Sequence, residues 1–357
     1  MFPVGEEVNK VVNLTIDSKT IEAEEGMTLL EAARREGISI PTLCHDQRLS
    51  PYGACRICMV ESKQDNRLLA ACSTPVEEGM DILTSSPAVR KARKKQLTLI
   101  LLNHTMVCPS CEKGGQCDLQ DLVYEYGVED SAYPWDKAHY PIDALSPLIK
   151  RDPNKCILCG KCVRICGQYQ QVGMLNVAGS GVSTSIEYTR GNTFDCEFCG
   201  QCVAICPTGA LTVKTFDYVT NWWELDEVET ICPYCGCGCS VTLGVKDGTI
   251  RAVGAEAGRG INQGDLCVKG RFGFGFVNHP DRLTRPLVRK GETLVEASWE
   301  EALDFVSSTL REIKEKHGSD SIAGLSSAKV TNEENYLFQK FMRAAIGTNN
   351  VDHCARL

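Results

Sequence analysis

CILCGKCVRIC, residues 156–166, returns further along the chain as CEFCGQCVAICP, residues 196–207. Both read C-x2-C-x2-C-x3-C, giving Cys156, Cys159, Cys162 and Cys166, then Cys196, Cys199, Cys202 and Cys206. Thiolates at this spacing hold 4Fe-4S cubanes, and in paired runs the fourth cysteine of each run ligates the other run's cluster. The expected sets are therefore Cys156, Cys159, Cys162 with Cys206, and Cys196, Cys199, Cys202 with Cys166. Ligand sharing suits two redox centres held close together and speaks against zinc. The second run ends in Pro207 where the first has Gly167, so the local turn, though not the ligation, is expected to differ.

The remaining cysteines extend the theme. The chain has 21 in 357 residues, too large a protein to need disulfide staples, and the close C-x2-C spacings point to metal in a reducing compartment. Cys44, Cys55, Cys58 and Cys72, spaced C-x10-C-x2-C-x13-C with Gly53 among them, can hold one 2Fe-2S cluster, with zinc as the alternative. Before them two β-rich runs flank the turn DSK. A capping box of Thr28 and Glu31 then opens a helix that Gly37 closes, so a hairpin packed on a helix is predicted. SPAVRKARKKQLTLILLNH predicts a helix with Ser86 as N-cap and Pro87 first, leading to His104, Cys108, Cys111 and Cys117. Alone, H-x3-C-x2-C-x5-C divides evenly between zinc and iron-sulfur; the neighbouring cubane runs favour a 4Fe-4S cluster.

Beyond NWWELDEVET, a polar stretch expected to be a linker, comes CPYCGCGC and then NQGDLCVKGRFG. Cys232, Cys235, Cys239 and Cys267 form a further 4Fe-4S set, with Cys237 as the alternative third ligand, around two strands joined by KDG. SIAGLSSAKV reads as a strand, a Thr331 and Glu334 box starts a helix, Gly347 ends it, and NNVDHC resumes extended. Leu337, Phe341, Ala344 and Ala345 share one helix face, read as core in a β-α-β start of a nucleotide-binding-like domain.

Bulk properties exclude several classes. A net charge of -8 disfavours nucleic acid, and RKARKK (Arg90 to Lys95) reads as a solvated helix face. The start, MFPVGEEVNK, lacks a leader pattern, and Arg34 and Arg35 sit inside a helix. LTLILLNHTMV is too short to span a bilayer, so a cytoplasmic protein without direct membrane insertion is expected.

On these motifs the chain resembles a known family. CPYCGCGC with NQGDLCVKGRFG looks like the iron-sulfur segment of molybdopterin oxidoreductases, and TNEENYLFQKFMRAAIGTNNVDHCARL is similar to cytosolic selenocysteine-type formate dehydrogenases. The first 220 or so residues resemble the ferredoxin-like arm of iron-only hydrogenases and respiratory NADH dehydrogenase. The resemblance implies an α+β multidomain chain. It would comprise a β-grasp 2Fe-2S ferredoxin domain (1–84), a 4Fe-4S domain with one histidine and three cysteine ligands (85–145), a two-cluster 4Fe-4S ferredoxin domain (146–218), a molybdopterin-oxidoreductase 4Fe-4S domain (225–290) and an incomplete molybdopterin-binding α/β domain (291–357).

It also implies one 2Fe-2S cluster, four 4Fe-4S clusters and, in the full-length protein, molybdenum or tungsten bis-molybdopterin guanine dinucleotide. Formate would be oxidised to CO2, or CO2 reduced. Electrons would pass from the pterin centre to the Cys232 cluster, the paired cubanes, the His104 cluster and the 2Fe-2S centre. They would leave to a flavin or NAD(P)-reducing subunit, a hydrogenase or a ferredoxin. Lys269 matches the family lysine between cluster and pterin. Cys354 is expected to be a thiol beside the active site, and His353 to be structural. In the family a selenocysteine or cysteine follows CARL, so the end at Leu357 is expected to mark a UGA codon, against a subunit boundary or truncation. The alternatives kept are a non-catalytic electron-transfer subunit and another bis-pterin enzyme such as nitrate reductase; iron-only hydrogenase is disfavoured by the cysteine spacing after Cys206.

Overall fold

The computed structural model describes residues 10–129, 136–137, 139–143, 145–189, 196–215 and 220–354. The chain forms two compact units, Met1–Glu224 and Leu225–Leu357. The initial MFPVGEEVN and the closing Ala355 to Leu357 lie outside the described residues.

In the first unit, strands Val11–Ile16 and Lys19–Glu24 pair antiparallel. Asp17 (φ 49°) and Ser18 (φ 71°) make the left-handed two-residue turn that matches strand twist. Alternation sends Val12, Leu14 and Ile16 inward, against Leu29 and Leu30 of the helix Leu29–Arg35. Thr28 and Glu31 close the expected capping box, and Gly37 follows at φ 72°. Val11–Ile16 also pairs in parallel with Asp81–Leu83, completing a five-stranded sheet with Met59–Ser62 and Leu68–Ala70. This is the β-grasp arrangement expected from the hairpin and helix.

The helix Pro87–Leu101 starts at Ser86, whose side chain accepts from Val89 N at 3.1 Å. It stops short of His104. Arg90, Lys91, Lys94 and Lys95 are exposed as expected, but Arg93 is buried. Its guanidinium donates to the carbonyls of Ile57 (3.0 Å) and Met59 (2.8 Å) and to Tyr126 Oη (2.9 Å). A planar fork can satisfy three acceptors at once, so one residue of the basic run ties helix to sheet. In the ferredoxin region, strand Ile149–Arg151 pairs antiparallel with Leu211–Val213, joining the two ends of the repeat.

In the second unit, Asp226–Ile231, Ser240–Lys246 and Thr249–Gly254 form an antiparallel sheet. The stretch expected to be a linker does carry the boundary between the units, after Glu224, but its second half is corrected: Trp222–Glu224 is a short 3-10 turn, and DEVETI is an edge strand paired with Ser240–Lys246. Its polar side chains are exposed, which is why composition alone reads as linker. Strand Gly324–Ser326 pairs in parallel with Val351–His353 across the helix Asn332–Lys340 and its π-helical continuation Phe341–Ile346, the expected β-α-β unit. Gly347 ends it at φ 89°.

The strand pair covers one side of this helix. Leu337, Phe341, Ala344 and Ala345 are exposed, whereas Met342 and Ile346 are buried. The helix turns Phe338 and Met342 to the strand, where a Cβ at Gly324 would lie 2.9 Å from the Phe338 ring and 3.1 Å from Met342. Among the described residues no helix is long and apolar enough to cross a membrane.

Candidate iron-sulfur centres

The two cysteine runs adopt the same backbone. Leu158 and Phe198 sit at φ 53° and 54°, Gly160 and Gly200 at φ 68° and 70°, each pair leading into a short helix, Lys161–Arg164 or Gln201–Ala204. The left-handed residues turn amides onto sulfur: Leu158 N lies 3.5 Å from Cys156 Sγ and Phe198 N 3.4 Å from Cys196 Sγ. The runs part where Gly167 and Pro207 differ. Gly167 lies in a π-helical continuation, Ile165–Tyr169, whereas Pro207 follows directly on Cys206 after the second helix has ended.

Two cavities lie between the runs. One, of about 430 Å³, is lined by Cys156, Cys159 and Cys162 together with Cys206. The other is lined by Cys196, Cys199 and Cys202 together with Cys166. Burial pushes the Cys156 thiol up to about 11 and Cys159 up to about 12, and raises Cys162 and Cys202 well above the ordinary thiol range. Such pockets disfavour bare thiolates and favour them once cationic iron is bound, so the donor sets fit cubanes. Among the described residues no group of three or more His, Cys, Asp or Glu side chains is arranged to hold a single metal ion.

His104 is buried, and burial lowers its imidazole to about 4, so the ring is neutral. Its Nδ1 lies 3.1 Å from the Lys155 carbonyl oxygen. It lines a cavity of about 280 Å³ with Cys108 and Cys117. Cys111 is off that lining, its sulfur packed where a Cβ at Gly209 would lie 2.6 Å away. Cys117 caps the helix Asp118–Tyr126, its sulfur accepting from Gln120 N and donating to Pro207 O, both at 3.4 Å.

Cys44, Cys55, Cys58 and Cys72 are all buried, and they pair as thiols, Cys44 with Cys55 and Cys58 with Cys72. The Cys55 S–H, then the amides of Cys55 and Ala54, hold Cys44 down to about 5, while Cys55 and Cys58 are raised. Gly53 sits at φ 65°, and a Cβ there would meet Ser73 Oγ at 3.8 Å.

In the second unit Cys232 is buried, its amide bonded to the Cys239 carbonyl at 2.9 Å. Cys235 and Cys239 are half-buried, and Cys237 and Cys267 exposed. Cys239 packs with the local apolar cluster, while Cys237 lies outside it, 3.6 Å from Cys239 between sulfurs. Asn332 Nδ2 donates to Gly236 O at 2.7 Å, fixing this loop to the helix Asn332–Lys340. Lys269 is exposed on the helix Val268–Phe272 that Cys267 caps. Cys354 is exposed, 3.3 Å from Ser327 Oγ, whose bond lowers its thiol.

Sequence reading missed the buried shell around these thiols. Glu112 bonds Lys150 and, at 2.8 Å, Lys155. Thr208 donates to the Lys155 carbonyl at 2.8 Å. Arg164 bonds two carbonyls of the N-terminal region. Their closeness to ligands in the sequence was the available signal.

The repeat and the thiol-lined cavities define a multi-cluster iron-sulfur electron carrier. The chain belongs to the molybdopterin oxidoreductase family, with an N-terminal iron-sulfur region of the NADH-ubiquinone oxidoreductase-G type. A 2Fe-2S iron-sulfur cluster binding domain matches residues 9–87, and the NADH-ubiquinone oxidoreductase-G iron-sulfur binding region matches 93–132. The ferredoxin-like domain of NADH-quinone oxidoreductase subunit 3 matches 146–212. The molybdopterin oxidoreductase Fe4S4 domain matches 225–279, and molybdopterin oxidoreductase 282–357.

The NADPH-Fe(3+) oxidoreductase subunit alpha of Geobacter sulfurreducens is 42% identical over 97% of this chain and 40% of its own length. A Bacillus subtilis protein provisionally named a formate dehydrogenase is 34% identical over the same shares, 97% and 40%. A chain of an NAD+-reducing [NiFe]-hydrogenase in the H2-reduced state superposes with a TM-score of 0.55 at 32% identity, covering 59% of this chain and 91% of that one. The chain spans about 40% of the length of the curated relatives it matches.

Proposed function

We propose that this chain conducts electrons singly between a two-electron centre in its molybdopterin region and a redox partner, through one 2Fe-2S and four 4Fe-4S clusters. Cys44, Cys55, Cys58 and Cys72 hold the first; His104, Cys108, Cys111 and Cys117 the second; the two interleaved runs the next pair; Cys232, Cys235, Cys239 and Cys267 the last. The observation that carries this reading is that each cavity between the runs receives three thiols from one run and one from the other. When bound, a molybdenum or tungsten bis-molybdopterin guanine dinucleotide supplies the two-electron chemistry that side chains cannot. Lys269, next but one to Cys267, would set an ammonium beside that cluster and favour its reduced state.

Cys44, Cys55, Cys117 and Cys159 share one apolar cluster. This favours a junction in which the Cys156 cubane adjoins both the His104 site and the 2Fe-2S site, over single file through His104. The thiol-rich composition fits a reducing, cytoplasmic setting.

Formate, interconverted with CO2, is the proposed substrate, supported by TNEENYLFQKFMRAAIGTNNVDHC and by the Bacillus relative's name. A second reading, electron uptake from NAD(P)H through a partner subunit, is supported by the higher identity to the Geobacter protein. The test is anaerobic reduction of the full-length protein, followed by electron paramagnetic resonance. Formate should reduce the clusters and drive viologen reduction. Clusters reduced by NAD(P)H with the partner present but untouched by formate would overturn the formate reading.

A further inference from the structure

Arg164 stands between Cys162 and Cys166, ligands in the proposed reading of two different cubanes, and is 8% exposed. It reaches out of the ferredoxin repeat into the loop of the N-terminal domain. One terminal nitrogen donates to Ser50 O at 2.7 Å and the other to Cys44 O at 2.5 Å. Its guanidinium lies 4.9 Å over the Tyr52 ring. The other side of that contact is Gly160, at φ 68°, where a Cβ would come within 3.1 Å of Tyr52 Cε1. The Cys44 loop is thus gripped by two residues of the first run.

The charge needs a counterpart. Arginine stays protonated in proteins, and a buried cation without a counter-charge is strongly unfavourable. Buried Lys155 and half-buried Lys150 share Glu112, and half-buried Arg151 has Asp143 at 2.9 Å, whereas Arg164, like Arg93, has only neutral acceptors. Among the described residues no carboxylate pairs with Arg164, and its Nε–H is buried without an acceptor. Two carbonyl dipoles and one ring face offset a full charge only in part. Thiolate-bound clusters are the anionic groups this neighbourhood is built to carry, four sulfurs at a time.

We propose that Arg164 is the positioning residue that docks the Cys44 loop on the first cubane and supplies the buried positive charge that the 2Fe-2S and first cubane clusters share. This rests on the cluster assignment above. A fixed cation beside a cluster favours the added electron, so it raises the midpoint of both centres together.

The experiment uses the full-length protein purified anaerobically with its clusters, as wild type, Arg164→Gln and Arg164→Lys, titrated by electron paramagnetic resonance. Gln keeps an amide donor and removes the charge; Lys keeps the charge and removes the fork. In Arg164→Gln the 2Fe-2S and first cubane midpoints should fall, each by about tenfold or more in the oxidised-to-reduced ratio at fixed potential, about 59 mV for one electron. The Cys232 cluster should not move, and Arg164→Lys should stay near wild type. Wild-type midpoints in both variants would overturn the proposal. Loss of the 2Fe-2S signal in both, Lys included, would show a purely structural role and overturn it too. A wild-type protein with no 2Fe-2S signal would overturn the cluster assignment itself.

Discussion

The imidazole Nδ1 of His104 lies 3.1 Å from the carbonyl oxygen of Lys155, the residue before Cys156. A carbonyl only accepts, so the ring proton sits on Nδ1 and Nε2 keeps its lone pair for iron. The neutral ring gives this site one negative charge fewer than four thiolates would. His104→Cys should therefore move the midpoint of this cluster to more negative potential in a spectroscopic redox titration. An unchanged midpoint would count against ligation by His104.

Gly209 is buried, and a Cβ there would stand 2.6 Å from Cys111 Sγ and 3.4 Å from Lys155 Cδ. Real Cβ contacts do not close so far, and in a packed interior the displaced group is the sulfur or its backbone. Gly209→Ala should abolish or distort the His104 cluster while sparing the 2Fe-2S centre. The check is iron content with the individual resonance signals; a full complement with unaltered spectra would be the contrary result.

The interleaved lining of the two cavities makes a prediction that a one-run, one-cluster arrangement would reverse. Cys166→Ala should damage the cluster of Cys196, Cys199 and Cys202 and leave that of Cys156, Cys159 and Cys162. Cys206→Ala should do the opposite. Resolving the two cubane signals in each variant decides it, and damage confined to the mutated cysteine's own run would refute crossed ligation.

What the sequence makes legible is whatever spacing or local chemistry encodes. The repeated runs, the Thr28 and Thr331 capping boxes, the Ser86 cap and the DSK and KDG turns all depend on residues within a few positions of one another. The misreadings have non-local causes. The strand meets the Phe338 and Met342 side of the last helix because Gly324 leaves room there, a fit that periodicity does not display. DEVETI reads as linker because an edge strand exposed on both faces shows no alternation. The partners of Arg93, Glu112 and Arg164 are set by tertiary contacts, 33 to 120 residues away in the chain, which no window of sequence displays.

Glu112 shows how much rests on one such contact. Its carboxylate is buried between two ammonium groups, Lys150 and Lys155, the latter also 3.4 Å from Asp152. Burial alone would push the Glu112 carboxyl up; the bonds from Lys150 and Lys155 outweigh it and hold the group below its ordinary value. Glu112→Gln removes the shared counter-charge and leaves Lys155 buried with only the longer Asp152 contact. Breaking a buried pair from one side costs about 3 kcal/mol or more, so the variant should unfold at clearly lower denaturant than wild type. The sign with pH follows from the depressed carboxyl. The carboxylate's contribution is complete above its ordinary value and fades as pH falls through the folded one, so the gap between wild type and variant should narrow in acid. A gap that stayed constant from neutral pH into acid would mean that Glu112 contributes through packing and not through its charge.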